Sequence, residues 1–146
     1  MCAISPTLPN IMAENIVQRC LSAFPETQAI YLFGSWGTPA ERGESDVDLA
    51  LLLPCQQAKA LKSLYMTPLH HQLEAMLLRD VDLINLRQVS TVLQKEIIAE
   101  DRRAYCADSY AADEFEMLTI SYYQKLNDER ADVLESFFKS KRAYNV

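Results

Sequence analysis

Every glycine of this 146-residue chain lies in one short stretch: Gly34, Gly37 and Gly43 all fall within residues 34–45. That stretch separates two apolar runs, AIYLF at 29–33 and DVDLALLL at 46–53. Concentrating every glycine in one loop predicts backbone geometry there that side-chain-bearing residues resist. The flanking runs are too short for core helices and read as buried strands, with Pro54 ending the second. Joined by this loop, the two strands can pair antiparallel.

The remaining pattern is largely helical. Residues 11–24 place Ala13, Ile16, Val17, Cys20, Leu21 and Phe24 at helical spacing, with Asn10 as N-cap and Pro25 as the stop. A second helix is expected over 56–66. A third opens at Pro68 behind the cap Thr67, with Leu69, Leu73, Met76 and Leu77 on one face. Residues 81–86 (VDLINL) read as a third strand, and a helix near 90–101 turns Val92, Leu93 and Ile97 inward. A long helix over 110–139 carries Phe115, Leu118, Tyr122, Leu126, Val133, Leu134 and Phe137 on one side. The order αββααβα plus a C-terminal helix predicts an α+β domain with a small mixed sheet backed by helices.

Composition narrows the function. A net charge of −6 and a pI of about 4.9 do not supply the cations that stable nucleic-acid binding needs. A protein partner, or a small substrate that brings metal ions, fits better. Cys2, Cys20, Cys55 and Cys106 are widely spaced, form no CxxC pair and read as reduced thiols. The N-terminus lacks the charge-then-apolar pattern of a signal peptide, and no apolar run approaches the ~20 residues that cross a bilayer. A cytoplasmic protein is expected.

The chemistry resides in three aspartates. Strands disfavour Asp, yet Asp46 and Asp48 stand at i and i+2 at the head of an apolar strand, where period two puts both on one face. Two carboxylates ~5 Å apart repel by about 3 kcal/mol at an effective dielectric of 20. A hard divalent cation with oxygen ligands is the natural compensation. Asp82 can join the same face if the third strand pairs beside the second, giving a site for two magnesium ions. Asp80 competes for that role but lies at a helix end, where an acid is commonly just solvated. Gly34 directly after a strand lets the backbone approach a phosphate, with the following N–H groups and the Ser35 hydroxyl as donors.

Gly34-Ser35, ten residues, Asp46-x-Asp48, and a later Asp82 within Val81-Asp82-Leu83 together resemble the signature of polymerase-beta-type nucleotidyltransferases, and among them the minimal nucleotidyltransferase (MNT) family. The run Ser45-Asp46-Val47-Asp48-Leu49 is also similar to that family's SDxDL. The resemblance covers residues 11–105. It divides the chain into a minimal nucleotidyltransferase domain, 1–105, and a C-terminal helical extension, 106–146, packed on the same domain. One departure stands out: relatives carry Arg-Gly in the loop where this chain has Thr38-Pro39, and Arg42 is the nearby cation.

The resemblance implies a magnesium-dependent enzyme of the HEPN/MNT toxin–antitoxin kind, transferring AMP from ATP to a tyrosine on a HEPN ribonuclease toxin. In that reading Asp46, Asp48 and Asp82 hold magnesium, Gly34 and Ser35 steady the phosphates, and Asp82 can accept the tyrosine proton. Two alternatives remain open here. One is a nucleotidyltransferase for a small hydroxylated molecule or an RNA end. The other is a non-catalytic binding antitoxin, which would leave the repelling carboxylates unexplained. Trp36 fits stacking on adenine or packing of the loop equally. His70 and His71 read as surface or boundary residues, Tyr122 and Tyr123 as core packing, and Lys139, Lys141 and Arg142 as a solvated end.

Overall fold

The computed structural model describes residues 10–39, 41 and 46–144. Its elements run α1 (Asn10–Ala23), β1 (Ala29–Phe33), β2 (Val47–Leu52), α2 (Cys55–Leu61), α3 (Pro68–Leu77), β3 (Val81–Asn85), a 3-10 turn (Leu86–Gln88), α4 (Thr91–Ala99), β4 (Arg103–Cys106) and α5 (Ser109–Tyr144). The expected order of helices and strands is present, with β4 added. The four strands form one sheet in the order β3-β2-β1-β4. β1 pairs antiparallel with both β2 and β4, and β2 pairs parallel with β3.

Alternation along the strands divides the core in two. Ile30, Leu32, Val47, Leu49, Leu51, Val81 and Leu83 point to one face and pack with α1 and α3 through Ile16, Cys20, Leu69 and Leu73. Ala29, Tyr31, Ala50, Leu52 and Cys106 point to the other and meet Ile97 and Ile98 of α4 and Ala112 and Phe115 of α5. A sheet covered on both faces explains why its strands are near-continuous apolar runs. Burial in the first layer pushes the Cys20 thiol up to about 12, so it packs as a small apolar side chain.

Several expectations are corrected. α2 stops at Leu61 instead of reaching 66, because Lys62 turns to positive φ and Asn85 Nδ2 takes the carbonyls of Ala58 and Lys62 at 2.9 and 2.8 Å. Thr67 does cap α3, accepting from the His70 N–H at 3.3 Å, and Ser90 caps α4. His70 is buried, not a boundary residue, while His71 is exposed. On α5 the apolar periodicity outruns the packing. Phe115 and Thr119 are buried, but Leu118, Tyr122, Val133, Leu134 and Phe137 are exposed, so Tyr122 is not a core residue. Tyr123 is half-buried, with the Lys95 ammonium 5.0 Å from its ring centre. No helix among the described residues is long and apolar enough to cross a membrane.

Candidate active site

Parallel pairing of β2 with β3 sets Asp48 directly opposite Asp82. Both lie on the α4/α5 face, at the strand heads. Asp46 stands just before β2 and is exposed, as is Asp82, whereas Asp48 is half-buried. The three expected carboxylates are therefore brought to one sheet edge. Burial, then the charges of Asp82, Asp46 and Glu100, push the Asp48 carboxyl up to about 6. Among the described residues no hydrogen bond or ion pair commits these aspartates to a protein donor. Hard, uncommitted, mutually repelling carboxylates fit a divalent cation bound through oxygen. The Asp80 carbonyl accepts from Val47 N–H at 3.0 Å, aligning the heads of β2 and β3.

Gly34 ends β1 beside Asp48. Its φ is +77°, and a Cβ built there would lie 2.0 Å from Asp48 Oδ2. Both facts demand glycine: an L side chain is strained at that φ and would displace the carboxylate. Ser35 follows, and its carbonyl accepts from the Thr38 N–H at 3.0 Å and from Thr38 Oγ1 at 2.5 Å. Thr38, part of the departure from the MNT loop pattern, thus closes the turn after Ser35. Gly37 repeats the positive φ at +77°. Glu41 Oε1 meets Arg79 Nη1 at 2.8 Å, tying the loop to the α3–β3 junction. Trp36 is buried in the layer beneath α1 and α3, so it packs the loop and offers no face to a base. Arg42 and Gly43 lie outside the described residues, as do the side chains of Lys141 and Arg142.

Two residues that sequence reasoning missed reach the loop from the α4–β4 turn. Glu100 Oε2 accepts the Gly34 N–H at 3.0 Å. Arg102 donates from Nη1 to the Gly34 carbonyl at 3.0 Å and from Nη2 to the Trp36 carbonyl at 2.5 Å. Their signal in the sequence is an acid–base pair between a helix and an unanticipated strand, which reads locally as solvated charge. β4 places them: its pairing to β1 is continued by the Leu32 N–H donating to the Arg102 carbonyl at 2.9 Å.

A strand, a glycine turn and a facing pair of strand-head carboxylates make a candidate site of the kind a nucleotidyltransferase needs. The family model described as "Polymerase beta, Nucleotidyltransferase" matches residues 14–110, and the chain belongs to that family. Within it, the chain is similar to the protein adenylyltransferase MntA of Shewanella oneidensis, at 32% identity over 123 residues and 84% of each chain. It resembles a solved toxin–antitoxin structure with AMP-PNP at a TM-score of 0.65 and 28% identity, covering 86% of this chain and 98% of that one. It also resembles the structure of a tri-AMPylated Shewanella oneidensis HEPN toxin in complex with its MNT antitoxin, at a TM-score of 0.62 and 28% identity, covering 88% and 97%.

Proposed function

We propose that this chain is the antitoxin of a toxin–antitoxin pair and transfers AMP from ATP to a tyrosine of a HEPN ribonuclease toxin, silencing it. The observation that carries the reading is the Asp48–Asp82 register beside Gly34: two uncommitted carboxylates next to a turn that only glycine can make. The names of its relatives, an adenylyltransferase and the partner of an AMPylated toxin, support the choice of acceptor.

In this reading residues 1–105 form the catalytic domain and 106–146 its helical extension. Asp46, Asp48 and Asp82 would hold magnesium, with room for two ions, which would neutralise triphosphate charge. Gly34 and Ser35 line the phosphates, where backbone N–H groups after a strand can donate. The tyrosine Oη attacks the α-phosphorus in line, the new O–P bond forms, and the bond to the β-phosphate breaks. Pyrophosphate leaves, and the phenolic proton passes to Asp82, the exposed carboxylate of the facing pair. Positioning and fixed charge do most of this work. In this reading the reaction runs in the cytoplasm, where ATP, magnesium and the ribonuclease's RNA targets are at hand.

Intact mass spectrometry of a candidate HEPN partner, incubated with this protein, ATP and magnesium, tests the reading. The partner should gain one or more AMP units, and the Asp46→Ala/Asp48→Ala double variant should add none. Suppression of the nuclease by both forms, with no mass gain, would instead make this a binding antitoxin.

A further inference from the structure

Gly34, the backbone group placed to meet a phosphate, already has an anion on its N–H. Glu100 Oε2 accepts it at 3.0 Å. Three features make this carboxylate hard to explain as packing or stability. Its side chain belongs to an exposed residue. It caps the C-terminal end of α4, where unpaired carbonyls disfavour a negative charge. It adds a fourth negative charge to a cluster whose members already repel: its field reaches Asp48 together with those of Asp82 and Asp46.

Arg102 explains how the arrangement is held. Its guanidinium grips the carbonyls of Gly34 and Trp36, and its charge is coupled to Glu100. The Gly34 peptide groups are thus held from both sides by one turn, Glu100 on the N–H and Arg102 on the carbonyl. Only the carboxylate sits where a phosphate oxygen would need to be.

We propose that Glu100 is a placeholder for the nucleotide: its carboxylate holds the Gly34 N–H until a phosphate oxygen of a nucleoside triphosphate displaces it, while Arg102 keeps the loop's shape in both states. The proposal rests on the reading of Gly34 as phosphate-facing. Glu100 is a positioning residue in this scheme. It preserves the loop in the absence of nucleotide and weakens binding of any anion too poorly charged to compete for the same donor.

The test is a titration of the whole protein with a fluorescent ATP analogue and magnesium, read by anisotropy, with no toxin present. Removing the competitor in Glu100→Ala should tighten binding about three- to tenfold, the scale of one net hydrogen bond exchanged with water. Glu100→Asp keeps the charge on a shorter stem that withdraws from the N–H, and should also tighten binding. Arg102→Ala should weaken it. Glu100→Ala binding at the wild-type affinity would overturn the proposal. Weaker binding with a higher magnesium requirement would overturn it too, and make Glu100 a metal ligand. Tightening in Glu100→Ala but not in Glu100→Asp would replace direct competition with bulk charge repulsion. If neither wild type nor Glu100→Ala binds the analogue, the phosphate-facing reading of Gly34 falls, and the placeholder with it.

Discussion

Two groups of metal-competent side chains sit on opposite faces of the sheet, and they differ in what their lone pairs are doing. On the α3 side, ligand atoms of His70, His71 and Glu74 lie within 4.8 Å of one another. On the α4 side, Asp46, Asp48 and Asp82 gather at the strand heads. By proximity alone the first group looks the better metal site. The atoms of its buried member, His70, are already committed, however. His70 Nε2 donates to the Val81 carbonyl at 2.7 Å, and His70 Nδ1 accepts the Met66 N–H at 3.3 Å. Glu74 Oε2 takes the Val81 N–H at 3.4 Å. Both His70 ring nitrogens and one Glu74 oxygen serve the backbone, leaving His70 no free imidazole lone pair for an ion. The aspartates have no such donor among the described residues. The first group fastens α3 to β3 at Val81, one residue before Asp82, and so holds in place a carboxylate of the second. Free lone pairs, more than short distances, set the aspartates apart as the candidate metal site.

The sharpest way to break this comparison is Asp48→Asn. AMP transfer should fall on the order of a thousandfold, several kcal/mol of transition-state stabilisation. Stability without metal should not fall, because the change removes a repelled charge. Magnesium at about a hundred times its dissociation constant should add roughly 2.7 kcal/mol to the wild type, and nothing to the variant. Single-turnover kinetics and thermal scans with and without magnesium measure both halves. A variant that keeps its rate, or loses metal-free stability, would put Asp48 in the structural class.

His70→Ala should show the reverse signature with a smaller effect. It leaves the buried Val81 carbonyl and the Met66 N–H without their partner, which costs about 1–3 kcal/mol of unfolding free energy. Transfer by the folded protein should stay within about tenfold of wild type. Urea unfolding alongside kinetics below the transition would detect the difference. A large rate loss at full stability would move His70 into the active site.

How much of this was legible beforehand depended on whether a residue defied its local setting. Asp48 and Asp82 interrupt apolar strands, and Gly34 ends one, so each advertised a role that packing could not supply. The shared face of Asp48 and Asp82 followed once β3 was placed beside β2. β4 was not legible: it has four residues, Arg103–Cys106, and its pairing with β1 is a tertiary fact. Without β4, nothing pointed Glu100 and Arg102 at Gly34. Helical periodicity located the apolar side of α5 but could not say where cover ends, so Tyr122 read as core and, like Phe137 on the same apolar side, is exposed. His70 and His71 were indistinguishable as neighbours. One residue's rotation around α3 buries the first against Val81 and leaves the second in water.

That pair of neighbours gives the smallest and most discriminating expectation. His71 is exposed, so His71→Ala should change stability by less than about 0.5 kcal/mol. If the α3 cluster is structural, zinc should not raise the melting temperature of wild type, and His71→Ala should not alter the response to any divalent ion. The reason is geometric: zinc needs a deprotonated imidazole nitrogen from each histidine, and to free one His70 must abandon either Val81 or Met66 in a buried setting. A zinc-dependent rise in melting temperature that disappears in His71→Ala would show that the protein accepts that loss. The contrast between committed and free lone pairs would then fail on the α3 face, while the Asp48→Asn result would still decide it on the other.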